Sequence, residues 1–403
     1  MTIGVNGFIG ERLKEAREAR ELLTQSSLAG LLGVSNNTIS LYESNTNNPR
    51  TEMVASISEL LKVKESYFFT SLPNKTNPVF WRSSHATTKD KRTIAQARFG
   101  WMKLIDAYLK QFLEMPKLNV PNRKEIGVPA DVDNITDDII EDITLRCREF
   151  WNLGKTPIQN MSALLENNGI MVSFGTLNSD KLDAFSNESE YDCSFHIFLG
   201  TDKKSGLRSR YDAAHELGHL VMHTHLPQKV FLGKNHSFFE RQAHRFASAF
   251  LLPLPSFKND VWMTSIEALK TLRSRWNVSV GAMMKRCEDI GLYGEKDTSR
   301  MWIKYRNNWR NIEDDNYSFE QPLLLKRSLE LIISENIRTK SQVLYDLPFL
   351  QKDVEEMLNL PVGFFNEDFG ELRQFTLPTV KDEHKQRELG FGEVIEYDFK
   401  KRA

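Results

Sequence analysis

The tightest constraint on this chain is a single run, Arg208 to His225, which reads RSRYDAAHELGHLVMHTH and contains His215-Glu216-Leu217-Gly218-His219. The run predicts a helix, and helical residues four apart share a face, so both imidazoles can close on one metal ion. Glu216, next to the first histidine, is placed to take a proton from an attacking water. Two neutral imidazoles with a carboxylate suit zinc and leave a fourth position open. Five residues alone also occur on surface helices whose two histidines are unconnected, so the reading requires a third protein ligand.

Three residues compete for that place. His223 shares the helical face at i+8, but the run from His215 to His223 spans about 12 Å of helix axis, too far for three rings to meet on one ion. His225 stands where a longer zincin motif carries its third histidine, yet Met222 replaces the glycine that turns the chain there. Glu240 opens a second helical pattern, FERQAHRFASAFLLP, in which Phe239, Ala243, Phe246, Ala247 and Phe250 recur at helical spacing. Two packed helices bring Glu240 to His215 and His219, and it is the favoured ligand. His244, one turn on, then orients a ligand from behind.

The stretch SRYDAAHELGHLVMH followed by ERQAHRFASAFLLP resembles the ImmA/IrrE family of zinc metallopeptidases. That family carries an R-x-x-F-x-x-A-H-E-L-G-H-x-x-x-H helix, then an E-x-x-A-N-x-F-A-x-x-L-L-x-P helix. The resemblance implies Zn2+ held by His215, His219 and Glu240, with Glu216 as general base. It also implies a repressor or antitoxin-like protein as target, in a stress, phage or mobile-element setting. Tyr211 stands for the usual Phe and His244 for the usual Asn, the second change touching the ligand shell. The likeness extends over roughly residues 8 to 350.

Residues 10 to 69 predict short helices with tight turns. Glu11 to Glu21 forms the first. Thr24 caps a second over Gln25 to Leu32, closed by Gly33, and Ser35 caps a third over Asn36 to Glu43. Arg50 to Leu61 forms a fourth. The string LTQSSLAGLLGVSNNTISLYESNTNNPRTEMVASISELLKV is similar to the helix-turn-helix domain of the Xre/Cro repressor family. In such a motif the second helix enters the major groove with its N-terminal residues toward base edges. Asn36, Asn37, Thr38 and Leu41 are therefore expected at bases, with Gln25 and Ser40 toward phosphates. Residues 1 to 72 hold seven Lys/Arg against eight Asp/Glu, a net of −1, so bulk attraction for phosphate is weak here. A homodimer on operator DNA, or added basic segments, would offset that.

The chain has 403 residues, enough for two to four domains, with Lys plus Arg (53) balancing Asp plus Glu (54). Its three cysteines, Cys147, Cys193 and Cys287, fit neither a disulfide framework nor a thiolate cluster. No apolar run has membrane-spanning length and no leader pattern opens the chain, so a soluble cytoplasmic protein is expected.

The expected fold is mostly α with a small β-sheet (α+β). A five-helix Xre/Cro-type domain spans 1–72, and a linker with a connecting helix spans 73–130. A zincin-like metallopeptidase domain spans 131–295, and a helical C-terminal region with a mobile tail spans 296–403. The linker leads through Phe80-Trp81-Arg82 into a long helix whose first half is basic.

Strands are expected at Ile170 to Phe174 and Cys193 to Leu199, with DAFSNESEYD between them as a turn-rich loop. Phe195 to Leu199 is assigned the role of holding an extended peptide beside the metal helix. His196 and Tyr191 are candidates to stabilise an oxyanion. Arg208 and Arg210 are expected to tie the helix to the strand layer. Trp302, Tyr305 and Trp309 fit one apolar helix stripe.

Two functions remain open. One is a DNA-binding regulator with a zinc endopeptidase domain of the HExxH, gluzincin-like type. The other is a non-catalytic, autoregulatory antitoxin that binds its operator and neutralises a neighbouring toxin.

Overall fold

Local capping sets the N-terminal elements. In the computed structural model, which describes residues 4–71, 80–83, 89–176, 182–188, 194–226, 236–309 and 317–366, helix α1 runs Gly10–Ala19 and α2 runs Gln25–Leu32. They are followed by α3, Asn36–Glu43, and α4, Thr51–Leu61. Thr24 accepts from the Ser27 N–H and Ser35 from the Thr38 N–H, which fixes the starts of α2 and α3. Gly33 ends α2 with φ 68°, a left-handed turn that costs glycine no Cβ clash. Helix α1 stops short of the expected Glu21 because that residue itself turns left-handed, with φ 65°. The fifth element is a 3-10 turn, Glu65–Phe69, not an α-helix.

Among the described residues four strands form one sheet: β1, Phe80–Ser83; β2, Ile170–Gly175; β3, Leu182–Glu188; and β4, Phe195–Gly200. Their order is β1-β3-β4-β2, with β2 parallel to β4 and the other two pairings antiparallel. The segment expected as a turn-rich loop is therefore largely strand β3. Its Asn, Ser and Asp residues favour turns locally, but tertiary packing overrides them. Ala184 pairs with Leu199, and Phe185 stacks on Phe198 with ring centres 5.2 Å apart.

The sheet divides two cores. Ala184, Phe195, Ile197 and Leu199 turn to one side, among the residues of helix α8, Gly206–His223, and helix α9, His236–Leu251. Met171, Phe185 and Phe198 turn to the other, against the connecting helix α5, Lys89–Leu109. Flanking α8 and α9 are α6, Asp137–Phe150, and α7, Met161–Asn167. Both start later than their apolar patterns suggest, because Thr136 and Asn160 accept backbone N–H groups as caps. Helices α10, Leu254–Asp260, α11, Ile266–Trp276, α12, Val280–Asp289, and α13, Glu295–Asn308, complete that side. Trp302, Tyr305 and Trp309 pack against it, as one apolar stripe.

Helices α14, Leu324–Ser334, α15, Lys340–Asp346, and α16, Gln351–Met357, return to the N-terminal side. Leu329, Ile332, Val343 and Phe349 share a core with Leu61, Tyr67, Phe68 and Trp101. Arg20 pairs with Asp353 at 2.7 Å, and the Lys64 N–H donates to the Pro348 carbonyl at 3.1 Å. The C-terminal helices thus seat the N-terminal helices on α5. The charged tail from Lys381 to Glu388 lies outside the described residues, and among those described no helix is long and apolar enough to cross a membrane.

Candidate functional site

Close approach of α8 and α9 creates the site. A Cβ built on Gly218 would stand 3.1 Å from Cβ of Phe246, so even alanine there would require Phe246 to give by a few tenths of an ångström. Ser205 starts α8 by accepting the Arg208 N–H at 3.1 Å. Arg210 does not reach the strand layer; it donates to the Ile158 carbonyl and pairs with Glu320. The same Glu320 accepts the Met161 N–H at 2.6 Å, so α7 and α8 are locked by one carboxylate.

His215, Glu216 and His219 are buried, while Glu240 is 19% exposed at the rim. Nε2 of His215 and Nε2 of His219 stand 3.1 Å apart. The Glu240 carboxylate completes a triangle, with Oε2 at 3.3 Å from His215 Nε2 and Oε1 at 3.2 Å from His219 Nε2. Ligands at typical zinc distances on a tetrahedral ion stand roughly 3.3 Å from one another. The donor types and their spacing therefore fit zinc. Burial opposes ionisation of Glu240, but hydrogen bonds and charge from His215 and His219 outweigh it and hold the carboxyl well below its usual range.

A hydrogen-bonded chain behind His219 sets which nitrogen points into the triangle. Gln242 Nε2 donates to the carbonyls of Val132 at 3.1 Å and Ile135 at 2.9 Å, which turns its Oε1 toward His223 Nε2 at 3.0 Å. A carbonyl oxygen only accepts, so His223 carries its proton on Nε2 and offers Nδ1 as acceptor. His219 Nδ1 lies 3.0 Å from that Nδ1 and donates to it, which turns His219 Nε2 toward Glu240 and the place an ion would take. Burial, and then the neighbouring His219, push the His223 pKa well below normal, consistent with the neutral ring this chain requires.

Glu216 lies beside the triangle, where Ser186 of β3 donates to its Oε2. His244 comes closer than an orienting role demands. Its ring centre is 4.4 Å from that of His215, and one donor atom from each of His215, Glu240 and His244 lies within 4.8 Å of the others. Tyr211 stacks on the His244 ring at 6.0 Å and its hydroxyl donates to the His244 carbonyl at 2.9 Å. The two departures from the family pattern thus touch each other.

Two expectations at the sheet need correction. His196 lies on the opposite face from α8, against Phe99 of α5, with Nε2 at 2.9 Å from Ser194 Oγ and 3.6 Å from Asp106 Oδ2. Strand residues alternate faces, and Phe195 and Ile197 already take the side toward α8, so His196 is turned away from the reacting centre. Strand β4 lies between β3 and β2, both of its edges hydrogen-bonded, and cannot take a peptide. Tyr191 lies outside the described residues. His225 sits past the end of α8, beside Arg123 and Ala130.

Ser186, His223 and Gln242 are the contributors that the sequence did not mark as such. His223 was visible by its spacing, though not its role. Gln242 and Ser186 gave no local signal, because their partners lie 110 and 30 residues away.

On the N-terminal motif, Asn36 and Asn37 are exposed, and Thr38, Ser40 and Leu41 are half-buried on α3. Asn36 Oδ1 accepts from Ser26 Oγ at 3.1 Å. Gln25 donates to Glu43 at 2.9 Å, and Glu43 in turn pairs with buried Arg17 at 2.6 Å. Gln25 is thereby tied down inside the motif.

Fold and site together define a chain that joins a helix-turn-helix motif to a metallopeptidase-like domain. The comparisons agree: residues 13–68 match the family model described as Helix-turn-helix, and residues 165–288 match the peptidase family model described as the IrrE N-terminal-like domain. The second segment holds His215, Glu216, His219, Glu240 and His244. No curated protein matches the chain.

Proposed function

We propose that this protein is a DNA-binding transcriptional regulator whose IrrE-like domain is a zinc-dependent endopeptidase acting on a repressor or antitoxin-like protein in the cytoplasm. The observation that carries the reading is the convergence of His215 Nε2, His219 Nε2 and the Glu240 carboxylate at 3.1–3.3 Å beside Glu216. His215, His219 and Glu240 would hold the ion. Zinc, when bound, supplies a Lewis acid that polarises the scissile carbonyl and makes water more acidic.

The chain's own residues do the rest. Glu216, held through Oε2 by Ser186, accepts the proton of the attacking water and passes it to the departing amine. The Gln242–His223 chain keeps the proton of His219 on Nδ1, so its Nε2 stays available as a donor. Asn36, Asn37, Thr38 and Leu41 would read base edges and Ser40 would face phosphates, on an operator bound by a homodimer, with Gln25 bracing the motif through Glu43.

The test is cleavage of a candidate repressor by purified full-length protein with zinc and by its Glu216→Gln variant. Cleavage that persists undiminished in Glu216→Gln sinks the mechanism.

One observation favours a second reading. His244 approaches His215 and Glu240 closely enough to serve as a fourth protein ligand, and a site closed by four ligands is structural. The protein is then an antitoxin that represses its operator and neutralises a toxin partner. Under that reading His244→Asn changes zinc affinity without creating cleavage, and His215→Ala impairs toxin neutralisation while Glu216→Ala does not.

A further inference from the structure

Strand β3 is the part of the sheet that touches the reacting centre, since its Ser186 donates to Glu216 and the strand packs on α8. One edge of β3 pairs with β4. The other carries β1, which runs antiparallel with Phe80 opposite Ser186, Trp81 opposite Phe185 and Arg82 opposite Ala184. Adjacent strands stand about 4.8 Å apart, so the main chain at Phe80 lies one strand spacing from the residue that holds Glu216. Strand β1 also runs against α8.

Strand β3 reaches Glu216 through Ser186, and the sheet edge remote from β3 belongs to β2. A segment of polypeptide presented to this centre by main-chain hydrogen bonds would add antiparallel to β3, along the line that β1 follows.

We infer that the β3 edge is the surface on which this domain takes extended polypeptide, and that residues 80–83 of its own chain hold that surface. The partner it fits is an unfolded or loop segment of a target protein, which must displace β1 to pair with β3. The hold is short. Strand β1 has four residues, and its register with β3 breaks between Arg82 and Ser83. In sequence β1 lies between the helix-turn-helix motif and α5, so the competitor belongs to the connection between the two functional regions. Describing the incoming segment as a substrate rests on the peptidase reading; the occupancy of the edge does not.

The test uses the full chain carrying Glu216→Gln and a fluorescein-labelled peptide of sequence PVFWRSSH, residues 78–85, followed by anisotropy. Trp81→Pro and Arg82→Pro are made separately in that chain. Successive residues of an antiparallel strand donate alternately toward and away from the partner, so one proline removes a ladder bond and the other serves as control. The apparent affinity for the peptide scales with the fraction of molecules whose edge is open. The opening variant should therefore bind at least about tenfold tighter than its parent, and the control variant like the parent.

Equal binding by parent and both variants overturns the inference, as does binding by none of them while melting temperatures stay unchanged. Should both prolines disrupt folding, hydrogen exchange on the unsubstituted chain decides. Slowed exchange at 80–83 supports an edge held by β1, and exchange there at the rate of an unstructured chain overturns it. Restoring Glu216 in the opening variant separates the two readings. Peptide bound while the candidate repressor is never cut refutes the peptidase and leaves the occupied edge standing; a cut repressor with no peptide binding does the reverse.

Discussion

The candidate metal centre and α3, the second helix of the helix-turn-helix motif, are built on opposite plans. At the centre, polar groups are buried and each fixes the next: Val132 and Ile135 carbonyls hold Gln242, Gln242 holds His223, and His223 holds His219. On α3, Asn36 and Asn37 stand in solvent, and Asn36 holds there the exposed Ser26 hydroxyl of α2. Buried groups are costly unless satisfied, so they specify one arrangement; exposed ones stay free to meet a partner. A change in the first region should therefore disturb binding and stability together, and a change in the second should disturb binding alone.

The largest expected effect falls on Glu216. Glu216→Gln should reduce cleavage by about 10²–10⁴-fold, the usual worth of a general base, while zinc content measured by atomic absorption stays at the parent level. Loss of zinc along with activity would show that Glu216 holds the site together and would blur the contrast.

Arg286 tests how far burial alone governs this half of the molecule. It is fully buried, pairs with Glu141 and donates to the Leu252 carbonyl at 3.0 Å. Arg286→Ala leaves Glu141 with Arg245 as its remaining partner and the Leu252 carbonyl without this donor, and should cost about 1–3 kcal/mol in denaturant unfolding. Operator binding measured below the melting temperature should not change.

Gln242→Leu sharpens the comparison within the site. It removes the group that sets the His223 tautomer, and altered outer partners typically lower metal affinity by about 10–100-fold. Competition against a colorimetric chelator measures this directly. Unchanged affinity would mean that His219 is oriented by packing and not by the hydrogen-bonded chain.

The smallest effect belongs to α3. Asn37→Ala should weaken operator binding by about 1–3 kcal/mol if the side chain reads a base, with the melting temperature unaltered. A lowered melting temperature would break the contrast drawn above.

Much of this could be read from the chain itself. Capping residues Thr24, Ser35 and Gly33 announced α2 and α3 because caps act within one turn. The i, i+4 spacing of His215 and His219 announced a shared face for the same reason. Strand β3 was obscured because its Asn, Ser and Asp residues favour turns until Phe185 finds Phe198 to stack upon. The orientation of His196 was equally hidden, since alternation leaves open which parity faces α8 until the sheet is placed.

By itself, then, the sequence determined what depends on near neighbours: helix starts and stops, the shared face of two histidines, and the pairing of a DNA-binding motif with a peptidase-like one. Tertiary structure decided what depends on distant partners. It brought Glu240 to the two imidazoles, seated the C-terminal helices against the N-terminal motif, and laid Phe80–Ser83 along the β3 edge. The physical reason is range. A cap or a helical repeat is settled within a few residues, whereas the face a strand turns and the edge it leaves open exist only after the whole sheet has formed.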